Sequence, residues 1–305
     1  MPEQVAPLWA LAALPLLGGF AFAAAAHDGI LNSGGVGKHG VMRPAGEAAR
    51  LLRQRRHTLL KADRLLWRIG VSGLVLAAVL MVAVVPLGTS VLLDLDVGVV
   101  WFNAMDVAVW AFVWLAGWGA NSALSLVGGY RFLALALAYE LPLMFAIATP
   151  AVAASSLNVS VIGSQGGLWY GVWMPVAFVI YLAAVVAFSV SGPFSAPLGT
   201  DIAGGVRAEL SGVDRLMFQG GQYALLAAGA AFAVPMFLGG GAGPLLPGWA
   251  WTLVKTAIVL AALVWARRRI PVLRPDEFME VGWLVLLPAA LVQLFIVAAI
   301  GVGRG

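Results

Sequence analysis

Cysteine is absent from the 305 residues, and histidine occurs only at His27, His39 and His57. The first absence excludes disulfides, thiolate-held zinc, cysteine-ligated iron–sulfur clusters and a cysteine nucleophile. The second leaves three histidines too far apart for a ligand cluster, so no metal site is expected. Charge is scarce too: charged residues make up 10% of the chain against 62% hydrophobic. A soluble domain carries about 25% charged and about 45–50% apolar residues. With a mean hydropathy of +0.95, the chain reads as an integral membrane protein. A pI near 9.8 then reflects basic loops on one membrane face rather than a nucleic-acid partner.

Eight apolar segments are long enough to cross about 30 Å of hydrocarbon as helices. They lie near 5–26, 69–92, 98–119, 132–154, 168–190, 216–239, 249–266 and 281–302. The first is followed by small residues, as a signal peptide would be. Its start, Met1-Pro-Glu-Gln, carries no positive charge, and the run is long, so a retained span is expected. No repeat or low-complexity linker interrupts the chain, so residues 1–305 form one membrane domain. The expected class is all-α: a polytopic bundle of eight transmembrane helices plus a basic amphipathic cytoplasmic helix.

Orientation follows from Lys and Arg. The segment His27 to Arg68 holds nine of the eighteen; Arg131, Arg207, Arg215, Arg267, Arg268, Arg269 and Arg274 complete sixteen. With eight spans all sixteen share one face, while the acidic Asp94-Leu-Asp96 turn falls on the other. Only Lys255, inside the seventh span, and Arg304, at the tail, stand apart. The positive-inside rule puts that basic face in the cytoplasm and both termini on the outer side of the plasma membrane. In the first basic loop Ala48, Leu52, Leu59, Ala62 and Leu66 recur at helical spacing among Arg50, Arg53, Arg56, Lys61 and Arg64. This is the pattern of an interfacial helix, which anchors to anionic lipid or borders an access route for a lipid-soluble substrate. Trp67, Trp101, Trp118, Trp169, Trp249 and Trp283 lie near span ends and read as interface anchors.

Asp106, Glu140 and Lys255 lie within spans. Each costs roughly 2.5–3.5 kcal/mol at a helix centre, so they face one another, water or partner subunits rather than lipid. Glu140 precedes Pro142, which removes a backbone donor and loosens the helix. Two readings stay open: a proton or charge relay through Glu140, or a static Glu140–Lys255 ion pair. The polar segment from Gly192 to Arg215 carries five charges and is too rich in Gly and Pro for one helix. It is either a site folded against the bundle or a plain connector.

Several stretches resemble the H subunit of bacterial proton-pumping NADH–quinone oxidoreductase (subunit 1 of mitochondrial complex I) and the related membrane subunit of energy-converting hydrogenases. The most specific runs from Trp265 to Trp283 and is similar, without a gap, to the pattern W-x-R-x-x-x-P-x-x-R-x-D-x-x-M-x-x-G-W. Phe237-Leu-Gly-Gly240 and Lys255-Thr256 precede it at suitable distances. Leu115-Ala-Gly-Trp118, Leu126-Val-Gly-Gly-Tyr-Arg131, Tyr139-Glu140, Glu209-Leu-Ser-Gly212 and Tyr223 add to the likeness, which covers about residues 43–300. The resemblance implies a subunit without a redox centre of its own. It would form much of a quinone chamber and begin a proton relay, with iron–sulfur clusters and any flavin on partner subunits. Carried over, Glu140 belongs to that relay, to which Asp106 and Lys255 are assigned as the other charges within spans. Asp201, Arg207, Glu209, Arg267, Arg274 and Asp276 belong to the chamber and the cytoplasmic loops. The implied partners are other membrane and peripheral subunits of a complex I-like or hydrogenase-like assembly, quinone of unassigned type, and lipid. The loop departs from the family pattern: Phe188, Ser191 and Ser195 replace a Glu, an Arg and an Asp. Leu198 and Gly199 stand where acids are expected, and Gln222 replaces a Glu. Fewer loop carboxylates imply weaker coupling between quinone chemistry and charge movement.

Overall fold

The computed structural model describes residues 3–32, 38–199 and 204–303. Its helices are α1 (Ala10–Asn32), α2 (Lys38–Arg53), α3 (Arg64–Val82), α4 (Gly98–Gly119), α5 (Ala123–Ala154), α6 (Val159–Gly163), α7 (Tyr170–Trp173), α8 (Pro175–Phe188), α9 (Gly212–Phe237), α10 (Gly248–Arg269), α11 (Pro275–Val281) and α12 (Leu287–Val302). A π-helical turn, Gly282–Leu286, joins α11 to α12. Among the described residues, seven apolar helices have at least membrane-crossing length, counting Pro275–Val302 as one. The eighth expected span is shorter than its apolar run, because the chain breaks at Met174 and restarts with Pro175 at the first position of α8. Proline is well placed there, since the first helical N–H has no intrahelical partner. The architecture is the expected all-α membrane bundle.

Small residues set how closely the helices approach. A Cβ on Gly70 of α3 would lie 2.3 Å from the Ala116 nitrogen of α4, so glycine there lets two backbones touch, as small residues do in membrane bundles. Helix α9 sits at the centre, with Ala227, Ala228, Ala230, Phe232 and Ala233 all buried. Around it pack α1, α3, α8 and α10. Phe102 of α4 stacks on Phe232 with ring centroids 3.7 Å apart.

The interfacial helix differs in position from the expectation. It is α2, and it ends at Arg53, so Leu59 and Ala62 lie outside any helix and Leu66 already belongs to α3. Asp63 decides the boundary: its carboxylate accepts from the Leu65 and Leu66 amides and caps α3, satisfying donors that a continuous helix would have used. The inward residue of α2 is the fully buried Leu51, while Leu52 is exposed. Trp67 departs as well; it is buried in the core rather than lying at an interface, whereas Trp118, Trp169, Trp249 and Trp283 are exposed.

A two-stranded parallel pair, β1 (Glu3–Gln4) with β2 (Ser90–Val91), ties the chain's start to the α3–α4 connection. Both therefore lie at one end of the bundle, opposite the basic loops. At the basic end residues 192–199 and 204–211 fold onto the bundle. They form 3-10 turns at Gly192–Phe194 and Ala196–Leu198, and Phe194, Leu198, Val206 and Leu210 are buried. The Val206 amide donates to Pro197 O at 2.9 Å and the Leu273 amide to Pro193 O at 2.7 Å.

Candidate functional site: a buried carboxyl pair and a basic foot

Inside the bundle, α4 and α5 bring Asp106 beside Glu140. Asp106 is fully buried and Glu140 is 7% exposed. The Tyr139 hydroxyl donates to Asp106 Oδ1 at 3.3 Å, and Asn103 Nδ2 donates to Glu140 Oε1 at 2.8 Å. Asp106 Oδ2 and Glu140 Oε2 have no hydrogen-bond partner among the described residues. A carboxylate only accepts, whereas a protonated carboxyl also donates. A proton held between the two groups would give a donor to a pair that otherwise only accepts. Asn103 is half-buried, and it lies one turn from Asp106 on α4 near the exposed Val100 and Val107. The carboxyl pair thus runs from a sealed interior toward the lateral face of the bundle.

Pro142 shapes this neighbourhood. Lacking an N–H, it leaves the Ala138 carbonyl without its usual helical donor. Gly282, where the π-helical turn begins, packs directly there: a Cβ on it would sit 2.5 Å from Ala138 O. The freed carbonyl is met by close backbone approach from a neighbouring helix.

Lys255 stands apart from the carboxyl pair. Its ammonium donates to the carbonyls of Leu238, Gly240 and Ala242 at 2.7, 2.9 and 2.8 Å, and lies 4.6 Å from the Trp169 ring centroid. All three ammonium donors are used, so a Glu140–Lys255 ion pair does not form. The physical reason is position: Lys255 meets the turn that closes α9, where helix-end carbonyls are unpaired.

At the opposite, basic end, Arg267 pairs with Asp28 at 2.6 Å, and the two side chains are 9% and 17% exposed. Arg268 Nε also reaches Asp28, at 2.9 Å. Tyr223 donates to Asp28 Oδ2 at 3.1 Å and accepts from Arg267 Nη2 at 3.3 Å, while Arg267 Nη1 donates to Ser191. This network joins α1, α9, α10 and Ser191, the residue just ahead of the first 3-10 turn. Glu209 accepts from Ser122 Oγ at 2.7 Å, which holds residues 204–211 to the start of α5. Arg207 is half-buried near Arg215. Arg274 and Asp276 are both about 70% exposed, and Arg274 pairs with Glu277 at 3.0 Å. Asp276 lines an open groove of about 860 Å³ between α5 and α11, together with Arg131, Tyr130, Met279, Glu280 and Trp283. Asp201 lies outside the described residues.

Sequence reasoning did not single out Asn103 or Asp28. Asn103 had a signal, a polar residue one turn from Asp106 within a span. Asp28 had none, since it sits at the junction of an apolar run and a basic loop.

A family model described as NADH dehydrogenase matches residues 33–298. The chain belongs to this family. Among relatives, the second H-type subunit of NADH-quinone oxidoreductase from Geobacter sulfurreducens is 33% identical over 274 residues, covering 86% of this chain and 83% of that protein. The H subunit of the Syntrophotalea carbinolica oxidoreductase is 32% identical over 282 residues, covering 88% and 86%. Its Magnetococcus marinus counterpart is 33% identical over 270 residues, covering 86% and 79%. The chain is thus a multi-pass membrane protein of the family that includes these H subunits, as the Trp265–Trp283 motif implied. Where it departs from the family pattern, the replacements are packed. Phe188 is fully buried, and Gln222 Nε2 donates to Val190 O at 2.9 Å.

Proposed function

We propose that this subunit contributes to the quinone chamber of a complex I-like NADH–quinone oxidoreductase and begins its proton relay at Asp106 and Glu140. The observation that carries the reading is the pair of adjacent buried carboxyls with orphan oxygens. Ionisable groups inside a membrane are costly and face functional pathways. A proton entering the pair at Asp106 passes to Glu140 and leaves toward Asn103 and the lateral face, where a neighbouring membrane subunit would receive it. Tyr223, Arg267 and Asp28 supply polar groups for a quinone headgroup at the basic end. The chain holds no redox centre in this reading; electrons arrive from iron–sulfur clusters on a peripheral partner. The basic end faces the cytoplasm of a bacterial plasma membrane and both termini face outward. Lys255 fastens the turn after α9 rather than carrying protons.

The test is the purified complex in proteoliposomes, with quinone reduction and proton translocation measured together. Glu140→Gln is expected to abolish translocation while the complex stays assembled. Unchanged translocation per electron would overturn the relay.

A second reading is favoured by the replaced loop residues: Phe188, Ser195 and Gln222 stand in place of acids and Ser191 in place of an arginine. They fit the corresponding subunit of an energy-converting hydrogenase, in which protons accept the electrons. Hydrogen evolution without quinone reduction by the purified complex would select it.

A further inference from the structure

We infer that a slot beside α1, at the end of the bundle away from the basic loops, binds one acyl chain of a membrane phospholipid. A cavity of about 580 Å³ lies there, walled by α1, the α3–α4 connection, α9 and α10. It is remote from Arg267 and Asp28 and does not depend on the quinone reading. Along α1 its wall runs from Trp9 to Phe20, roughly 16 Å at a helical rise of about 1.5 Å per residue. That is about half of the ~30 Å hydrocarbon thickness, the depth filled by the chains of a single leaflet.

The residues explain why the slot exists and why it is dry. Ala12 and Ala13 on α1 and Ala227 and Ala231 on α9 line it, and such short side chains leave width between the two helices. Helix α1 is fastened near both ends, by the β1–β2 pair and by Asp28 with Arg267, so the gap between these ties does not close. On α10, Thr252 Oγ1 donates to Gly248 O at 3.1 Å and Thr256 Oγ1 to Thr252 O at 2.8 Å. Both hydroxyl protons are thus spent within the helix. Among the described residues, no buried polar atom lacking a partner belongs to the wall.

An apolar cavity of about 150 Å³ already stays dry and takes up a benzene-sized ligand, and this one is roughly four times larger. Left empty, it would forfeit dispersion contacts along its whole lining. The bilayer supplies hydrocarbon to fill it. Trp9 and Trp249, both exposed, stand at the mouth, as indole rings do at the level of lipid headgroups. Leu17, Ala227 and Thr256 form the buried end. A slot that stops at half depth suits an acyl chain rather than the long tail of an isoprenoid quinone.

The test is the complex reconstituted into vesicles of phosphatidylcholine carrying a diazirine at the end of one acyl chain. Irradiation should label Ala227 or Thr256, which are buried from lipid around the outside of the bundle. Ala13→Phe with Ala231→Phe fills the slot and should lower that labelling at least about 10-fold, one decade in affinity, with the melting temperature equal or higher. Ala231→Val alone, a smaller insertion, should give an intermediate loss. Val292→Phe, on the exposed face of α12, should leave labelling unchanged. Absence of label at both Ala227 and Thr256 in the wild type overturns the site, as does labelling that survives in the filled variant. Labelling suppressed by added isoprenoid quinone and not by unlabelled phosphatidylcholine overturns the acyl-chain assignment. So does release of a membrane subunit by the filled variant with no label in the wild type, because a helix of that subunit then occupies the slot.

Discussion

Arg56 and Asp214, 158 positions apart, form a two-pronged ion pair in which Asp214 is buried and Arg56 Nε lies 2.6 Å from Asp214 Oδ2. The pair fastens the loop after α2 to the first turn of α9, where a negative charge also complements the helix dipole. Asp214→Asn is expected to cost about 2 kcal/mol, because it leaves a partly buried guanidinium without its counter-charge. Thermal denaturation of Asp214→Asn, Arg56→Gln and the double variant in detergent gives the coupling directly. Additive losses would show that the two residues act independently.

Tyr139→Phe removes the hydroxyl that donates to Asp106 at 3.3 Å. In reconstituted complex it should slow proton translocation about fivefold, the equivalent of one net hydrogen bond of about 1 kcal/mol. Electron transfer measured in uncoupled vesicles should change less. An equal loss in both assays would make Tyr139 a structural residue only.

Lys255→Met leaves three carbonyls without their shared donor. The expected loss is about 2–4 kcal/mol of stability, read as a lower melting temperature. Proton translocation per folded molecule should survive. Abolished translocation at normal stability would return Lys255 to the relay.

Gly70→Ala and Gly220→Ala separate packing from backbone entropy. The new methyl at Gly70 would meet backbone of α4 at 2.3 Å, whereas nothing lies within 4 Å of the position at Gly220. Gly70→Ala should destabilise by about 1–3 kcal/mol through overpacking. Gly220→Ala, exposed on α9, should stabilise by about 0.4–1 kcal/mol by restricting the unfolded chain. Matching effects at both positions would refute the close α3–α4 approach.

What the order of residues determined by itself was the membrane class, the succession of apolar segments and the separation of basic loops from the opposite end. Hydropathy and charge accumulate along the chain locally, so these features need no knowledge of packing. The Trp265–Trp283 pattern was equally legible, because it is continuous. Even here local chemistry set limits: the Asp63 cap and the break before Pro175 moved boundaries that periodicity alone had placed elsewhere. Only the tertiary structure decided which buried charge meets which. Asp106 meets Glu140 from another helix, Lys255 meets carbonyls rather than that carboxylate, and Asp28 meets Arg267 across most of the chain. Such pairings depend on the rotation and depth of each helix in the bundle, which many weak side-chain contacts fix together.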